Sequence, residues 1–124
     1  MKNFIAAVLA VVVMLTYGLN PASAYEPGET GRTSWVCVSE SAILELAVKN
    51  ETKGFKEASN FYHTLLSKGD CIQFQVILEV TLEEHIYTYV AKDSGNLLSV
   101  WRLATHKDAP YNYFVILVNI NSGA

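Results

Sequence analysis

The sequence predicts a small α+β domain in which an N-terminal strand and one or two short helices precede an antiparallel sheet. Apolar residues recur at helical spacing between residues 42 and 68, and from Ile72 onward they alternate with polar residues as in a strand. Four β-rich segments then follow one another with short connections, which favours a four-stranded antiparallel meander. The helical region can cover one face of this sheet. A small, partly closed barrel is the alternative to an open sheet.

The first 24 residues have the pattern of a cleaved signal peptide. Lys2 gives a basic start, Phe4–Tyr17 is apolar apart from Thr16, and Ala22–Ala24 has the small-x-small form that a signal peptidase recognises. The apolar run is shorter than the roughly 20 residues that span a bilayer. A glycine and a proline follow it, which argues against an uncleaved anchor. The sequence therefore predicts an exported protein, periplasmic or secreted, whose mature chain begins at Tyr25.

The charge balance bears on the class of partner. The chain has 9 Lys and Arg and 12 Asp and Glu; because Lys2 is the only charged residue of the leader, the mature chain has 8 basic and 12 acidic residues and a formal net charge of −4. The basic residues are interleaved with acids, whereas nucleic-acid-binding proteins cluster them on one surface. We therefore expect no nucleic-acid partner and, after leader cleavage, no membrane association.

Cys37 and Cys71 are the only cysteines, and a single pair in an exported chain is expected to form a disulfide. Neither lies in a Cys-x-x-Cys motif, and no histidine has zinc-ligand spacing from either, which disfavours a reactive thiol pair or a metal site. The bond would close a loop that contributes at most about 4 kcal/mol by the chain-entropy argument. It would join the two ends of the helical region.

Local sequence patterns predict where the helices and strands lie. Residues 25–33 are expected to be a flexible arm, because they contain a proline and two glycines at a terminus, and a single domain is expected over residues 34–121. A short apolar run predicts a strand over Ser34–Val38. Helix-forming residues predict a helix over Ala42–Val48, with a capping serine before it. A second helix begins near Phe55 and ends at a lysine followed by a glycine. The stripe expected to be its buried face consists of Phe55, Ala58, Tyr62 and Leu65.

The meander is expected to consist of Ile72–Val80, His85–Ala91, Leu97–Thr105 and Tyr111–Ile120. The connections between them are residues 81–84, 93–96 and 106–110, of which the last two contain turn-forming residues. Alternation in the first strand predicts that Phe74, Val76 and Leu78 are buried, whereas Gln73, Gln75 and Glu79 stay accessible.

The sequence shows no catalytic constellation. His63, His85 and His106 are far apart and have no metal-ligand spacing. There is no Gly-x-Ser-x-Gly motif and no glycine-rich phosphate loop, and the pair Glu83–Glu84 is expected in a solvated connection rather than a glycosidase cleft. We therefore predict no catalytic residue, no metal ligand and no cofactor.

Aromatic residues of the last three predicted strands are the candidate binding face: Tyr87, Tyr89, Trp101, Tyr111 and Tyr113. Tyrosine and tryptophan dominate binding hot spots. The alternative is that these side chains pack against the helices as core.

The sequence thus favours a small exported, non-catalytic domain that acts as a binding or interaction module or as a protein inhibitor, with an unknown protein or glycan as its partner. The alternatives are a small secreted hydrolase and a structural subunit of an envelope oligomer. Such a subunit would associate through the aromatic face or an unpaired edge strand. The oligomeric state does not follow from the sequence.

Overall fold

The computed structural model describes residues 25–119, and the predicted leader, residues 1–24, lies outside that range. The element order is β1 (Thr30–Cys37), α1 (Glu40–Thr52), α2 (Phe55–Lys68), β2 (Cys71–Val90), β3 (Leu97–Leu103) and β4 (Phe114–Val118). All strand pairs are antiparallel, in the order β1–β2–β3–β4. The predicted α+β class, the two short helices, the antiparallel meander and the disulfide are confirmed. Within residues 25–119, neither helix is long and apolar enough to cross a lipid bilayer.

β2 is one strand of 20 residues where the sequence predicted two. The predicted connection at residues 81–84 is wrong, because it contains no glycine, proline or asparagine to form a tight turn, and its Leu82 is fully buried. The first half of β2 pairs with β1, from Cys37↔Cys71 to Thr30↔Thr81. The second half pairs with β3, from Leu82↔Leu103 to Val90↔Leu97. The described sheet therefore has four strands in total, three of them after the helices.

The sheet curls until its first and last strands meet. β4 returns to β1 through the single pair Cys37↔Phe114. Cys37 is also joined to Cys71 of β2 by the disulfide, and both cysteines are buried. The disulfide therefore lies where the sheet closes, and the result is a partly closed barrel with two helices packed outside it.

Each face of the sheet contributes to its own cluster of buried residues. The outer face packs against the helices in a cluster that includes Ile43, Leu46, Leu65, Val100 and Phe114. The inner face forms a second cluster of buried residues: Val36, Leu82, Trp101, Leu103, Val115 and Leu117. Because neighbouring strand residues point to opposite faces, β3 and β4 contribute alternately to the two clusters.

The helix ends are held by polar caps. Ser39 Oγ accepts a hydrogen bond from the Ala42 amide at 3.2 Å at the start of α1. α2 is capped from a distant turn, because Asp93 Oδ2 accepts a hydrogen bond from the Phe55 amide at 2.7 Å. Gly69 ends α2 in the left-handed conformation, with φ of 81°. The Asp93 contact therefore joins the start of α2 to the turn between β2 and β3.

The first half of β2 departs from the predicted alternation. Thr33 pairs with Leu78 and Trp35 pairs with Gln73, so Phe74–Ile77 lie opposite a single residue of β1. Val76 is therefore 62% exposed, and its predicted burial is wrong. Phe74 and Leu78 are half-buried, and the accessible positions predicted at Gln73, Gln75 and Glu79 are confirmed. The cause is a multi-residue bulge, which moves side chains off the faces that simple alternation assigns.

Candidate functional site

Trp101, one of the five aromatic residues of the predicted binding face, lies in the inner core and is 1% exposed. Its indole Nε1 donates to Ser99 Oγ at 3.0 Å, and the Ser99 hydroxyl donates to Asn119 Oδ1 at 2.7 Å. The His85 ring packs edge-on against the indole with centroids 5.2 Å apart. The contacts of Trp101 are therefore those of a core residue.

Tyr87 and Tyr89 face the helices, on the side of the sheet opposite Trp101. A register shift in β2 is the cause: His85 pairs with Trp101, whereas Tyr87, two residues later, pairs with the adjacent Val100. The extra residue reverses the face on which the following side chains lie. The two tyrosine rings are stacked at 6.0 Å.

Tyr111 and Tyr113 precede β4 rather than belonging to it. Tyr111 is 55% exposed and Tyr113 is half-buried against the inner core, and their rings meet edge-on at 6.4 Å. The structure thus separates the five predicted aromatic residues between two faces and a loop. A binding role for them stays a prediction.

A groove of about 440 Å³ between the helices and the outer face of the sheet is the candidate site, and we call it the α2 groove. Its volume is within the range of about 300–1,000 Å³ that ligand sites occupy. All four strands contribute to one wall, through Trp35, Tyr89, Leu98 and Ile116. The helices supply the other, through Leu46, Phe55, Ala58 and Tyr62. Phe55 is 68% exposed, so the groove ends at an aromatic ring that the fold leaves uncovered.

The polar groups of the groove lie among these apolar walls. Asn50, Ser59 and His63 complete the lining, and among residues 25–119 no Asp, Glu, Lys or Arg contributes to it. Asn50 Nδ2 donates to the Tyr89 hydroxyl at 3.5 Å. Burial raises the pKa of Tyr89, so its hydroxyl is protonated at neutral pH. The groove therefore offers hydrogen-bonding groups within an apolar surface and no carboxylate, ammonium or guanidinium group of residues 25–119.

Three contacts hold the helices that form the groove against the sheet. Trp35 and Tyr62 meet edge-on with ring centroids 5.0 Å apart, and the Tyr62 hydroxyl donates to Gln73 Oε1 at 3.3 Å. Partial burial raises the pKa of Tyr62, which keeps this donor protonated at neutral pH. At the end of α1, the Tyr87 hydroxyl donates to Glu51 Oε1 at 2.6 Å, and this hydrogen bond is the main cause that raises the pKa of Tyr87. These bonds hold both helices to β2.

Of the five predicted residues, only Tyr89 lines the α2 groove. Phe55, Ala58 and Tyr62 belong to the stripe that the sequence predicted to be buried, yet Ala58 alone of the three is fully covered. The predicted burial of Phe55 is therefore wrong. Two large aromatic side chains on the stripe of one short helix are the sequence feature that could have indicated a groove here. Nothing in the sequence around Trp35 distinguishes it from a core residue of a short apolar strand segment.

Within residues 25–119 no three His, Cys, Asp or Glu side chains converge as a metal site would require. No family model, curated protein or solved structure matches the chain.

Proposed function

We propose that the protein is an exported, non-catalytic binding module that holds an uncharged apolar group of its ligand in the α2 groove. One observation carries the proposal: the groove is apolar, open to solvent and lined by no formally charged residue of the described chain. Transfer of an apolar group from water into such a site is favourable, at about 25 cal/mol per Å² of apolar surface buried. A charged group would lose its hydration there without gaining a carboxylate, ammonium or guanidinium partner from the lining residues.

The rigidity of the walls supports the same proposal. Trp35 is held by Tyr62, and α2 begins at a backbone amide bound to Asp93. A groove with preorganised walls loses little conformational entropy when a ligand enters, so more of the burial energy appears as affinity. The polar groups of Asn50, Ser59 and Tyr89 would orient the ligand by hydrogen bonds to its uncharged polar atoms.

Export is the second part of the proposal. The leader pattern of residues 1–24 motivates it, and the Cys37–Cys71 disulfide is compatible with an oxidising compartment. Intact-mass analysis of protein recovered from the periplasm or medium is expected to give a chain that starts at Tyr25. A mass that still includes residues 1–24 would contradict cleavage.

Ligand uptake is tested with N-phenyl-1-naphthylamine, an uncharged dye that fluoresces in apolar surroundings. The wild-type protein is expected to enhance its emission with saturation. Ser59→Phe fills the groove from α2 and should weaken dye binding at least tenfold, or about 1.4 kcal/mol. Ser67→Phe is the matched control, because Ser67 is an exposed residue of the same helix outside the groove lining.

The proposal fails if the wild-type protein does not bind the dye, or if the two phenylalanine variants bind it equally well. Solvent extraction of natively purified protein then addresses the natural ligand. A compound found by mass spectrometry with the wild type and the Ser67→Phe variant, but absent from Ser59→Phe, would be the ligand of the groove.

A further inference from the structure

We propose that the first half of β2 pairs with the same segment of a second copy of this chain, so that the protein is a two-fold symmetric dimer built on strands Ile72–Leu78. This inference is independent of the α2 groove. It rests on one edge of the sheet, along the first half of β2, where β1 is the only described strand that pairs.

The edge is unpaired over a long stretch. Residues Ile72 and Gln73, and then Leu78 to Thr81, pair with β1 on one side, and β3 begins to pair with β2 only at Leu82. Within residues 25–119, no second strand pairs with Ile72–Val80. Phe74–Ile77 lie outside the ladder with β1 as well, because of the bulge opposite β1. Such a row of backbone N–H and C=O groups is a template for another extended chain.

The side chains along this edge do not block pairing. From Ile72 to Leu78 there is no charged residue, no proline and no glycine. Natural proteins often protect exposed edges with charged side chains or proline, and this segment has neither. Val76 and Ile77 are each 62% exposed and Ile72 is 40% exposed, so pairing would also remove apolar surface from water.

The same features favour a second copy over an unrelated strand. An antiparallel pair about a two-fold axis uses one edge twice, so residue i of one copy lies against residue j of the other and the reverse. Like charges placed opposite one another destabilise such a pair. The segment Ile72–Leu78 has no formal charge and therefore meets its own copy without repulsion.

The oligomeric state of the oxidised protein, expressed from its full-length chain, is the first test. Light scattering during size exclusion is expected to give twice the molar mass of one chain, falling toward one chain on dilution. A molar mass of one chain at every concentration overturns the proposal. It would leave this edge to a strand from a different protein.

Two valine variants of one strand provide the matched comparison. Val76→Lys puts a charge at the proposed interface, whereas Val90→Lys makes the same change at a 50% exposed position in the part of β2 that pairs with β3. Val76→Lys should halve the observed molar mass with an unchanged far-UV circular dichroism spectrum, and Val90→Lys should remain dimeric. The proposal is overturned if both variants, or neither, become monomeric.

If Val76→Lys does not fold, hydrogen exchange of the wild-type backbone amides tests the dimer instead. The dimer protects the edge amides of Ile72–Leu78 more strongly as protein concentration rises. Fast exchange there at all concentrations contradicts the pairing.

Discussion

Trp101 is 1% exposed and Tyr111 is 55% exposed, so these two aromatic side chains should respond very differently to truncation. Trp101→Ala leaves a cavity in the inner core and removes the donor to Ser99, which is expected to cost about 3–5 kcal/mol. The melting temperature should then fall by more than about 10 °C. Tyr111→Ala, the control, should change it little, and equal shifts for the two variants would contradict the packing described here.

Gly54 is a position where a single added atom, the Cβ of alanine, should destabilise the fold. Its φ of 106° and ψ of 177° are a combination that only glycine adopts readily. A Cβ atom there would lie 2.8 Å from Asp93 Oδ2, the acceptor that caps α2. Gly54→Ala is therefore expected to lower the free energy of unfolding by roughly 2–4 kcal/mol, from backbone strain and loss of the cap.

Gly69→Ala is the matched control for Gly54→Ala. Gly69 also has positive φ, at 81°, but no atom lies within 4 Å of the added Cβ. Its cost should be that of the left-handed conformation alone, roughly 1 kcal/mol. Urea unfolding measures the difference in the free energy of unfolding between the two variants. If Gly69→Ala lowers it as much as Gly54→Ala does, the Asp93 contact contributes nothing.

β2 is the strand whose side-chain exposure departs most from simple alternation. Val76→Asp should lower stability by less than about 1 kcal/mol because the side chain is 62% exposed. Val100→Asp, at a fully buried position on the outer face of β3, places a carboxylate in the core and should unfold the domain. Circular dichroism of dilute protein separates these outcomes without a contribution from self-association. Unfolding by Val76→Asp would mean that the bulge is not formed.

The helices and the strand registers differ in how far the sequence predicts them. α1 and α2 are predictable because their period, the Ser39 cap and the Gly69 end are all local. The bulge at Phe74–Ile77 and the shift between His85 and Tyr87 are not, because each depends on which residue of a distant strand lies opposite. Local alternation therefore identified β-structure correctly and assigned some of its faces wrongly.

The disulfide joins β1 to β2 at the point where β4 also returns to β1. It encloses both helices, with a sequence separation of 34 residues between Cys37 and Cys71. Replacing both cysteines by serine is expected to cost up to about 4 kcal/mol, chiefly through greater freedom of the unfolded chain. Thermal melts with and without reductant measure this effect.

The double serine variant provides the control for those melts, because reductant should leave its melting temperature unchanged. A wild-type melting temperature that is the same in both buffers would contradict a stabilising disulfide. The amides near Phe114 should also lose protection in the variant, since the pair Cys37↔Phe114 is the pairing that closes the sheet.

The α2 groove is built from both helices and all four strands, which explains why the sequence did not predict it. Trp35, Leu98 and Ile116 come from three strands, and nothing local in their segments shows that they share one wall. Phe55 and Tyr62 were identified as a stripe, but whether a stripe is covered depends on the curvature of the sheet opposite it. The folded arrangement alone brings these residues together.

The separate surroundings of the two tryptophans, the only ones in the chain, give the protein two built-in spectroscopic signals. Trp35 lines the groove and is half-buried, whereas Trp101 is sealed in the inner core. Iodide in solution should quench the emission of the first and leave the second unaffected. A molecule entering the groove would change only the quenchable component, while unfolding would shift both to longer wavelength. Occupancy and folding can therefore be followed in the same unlabelled sample.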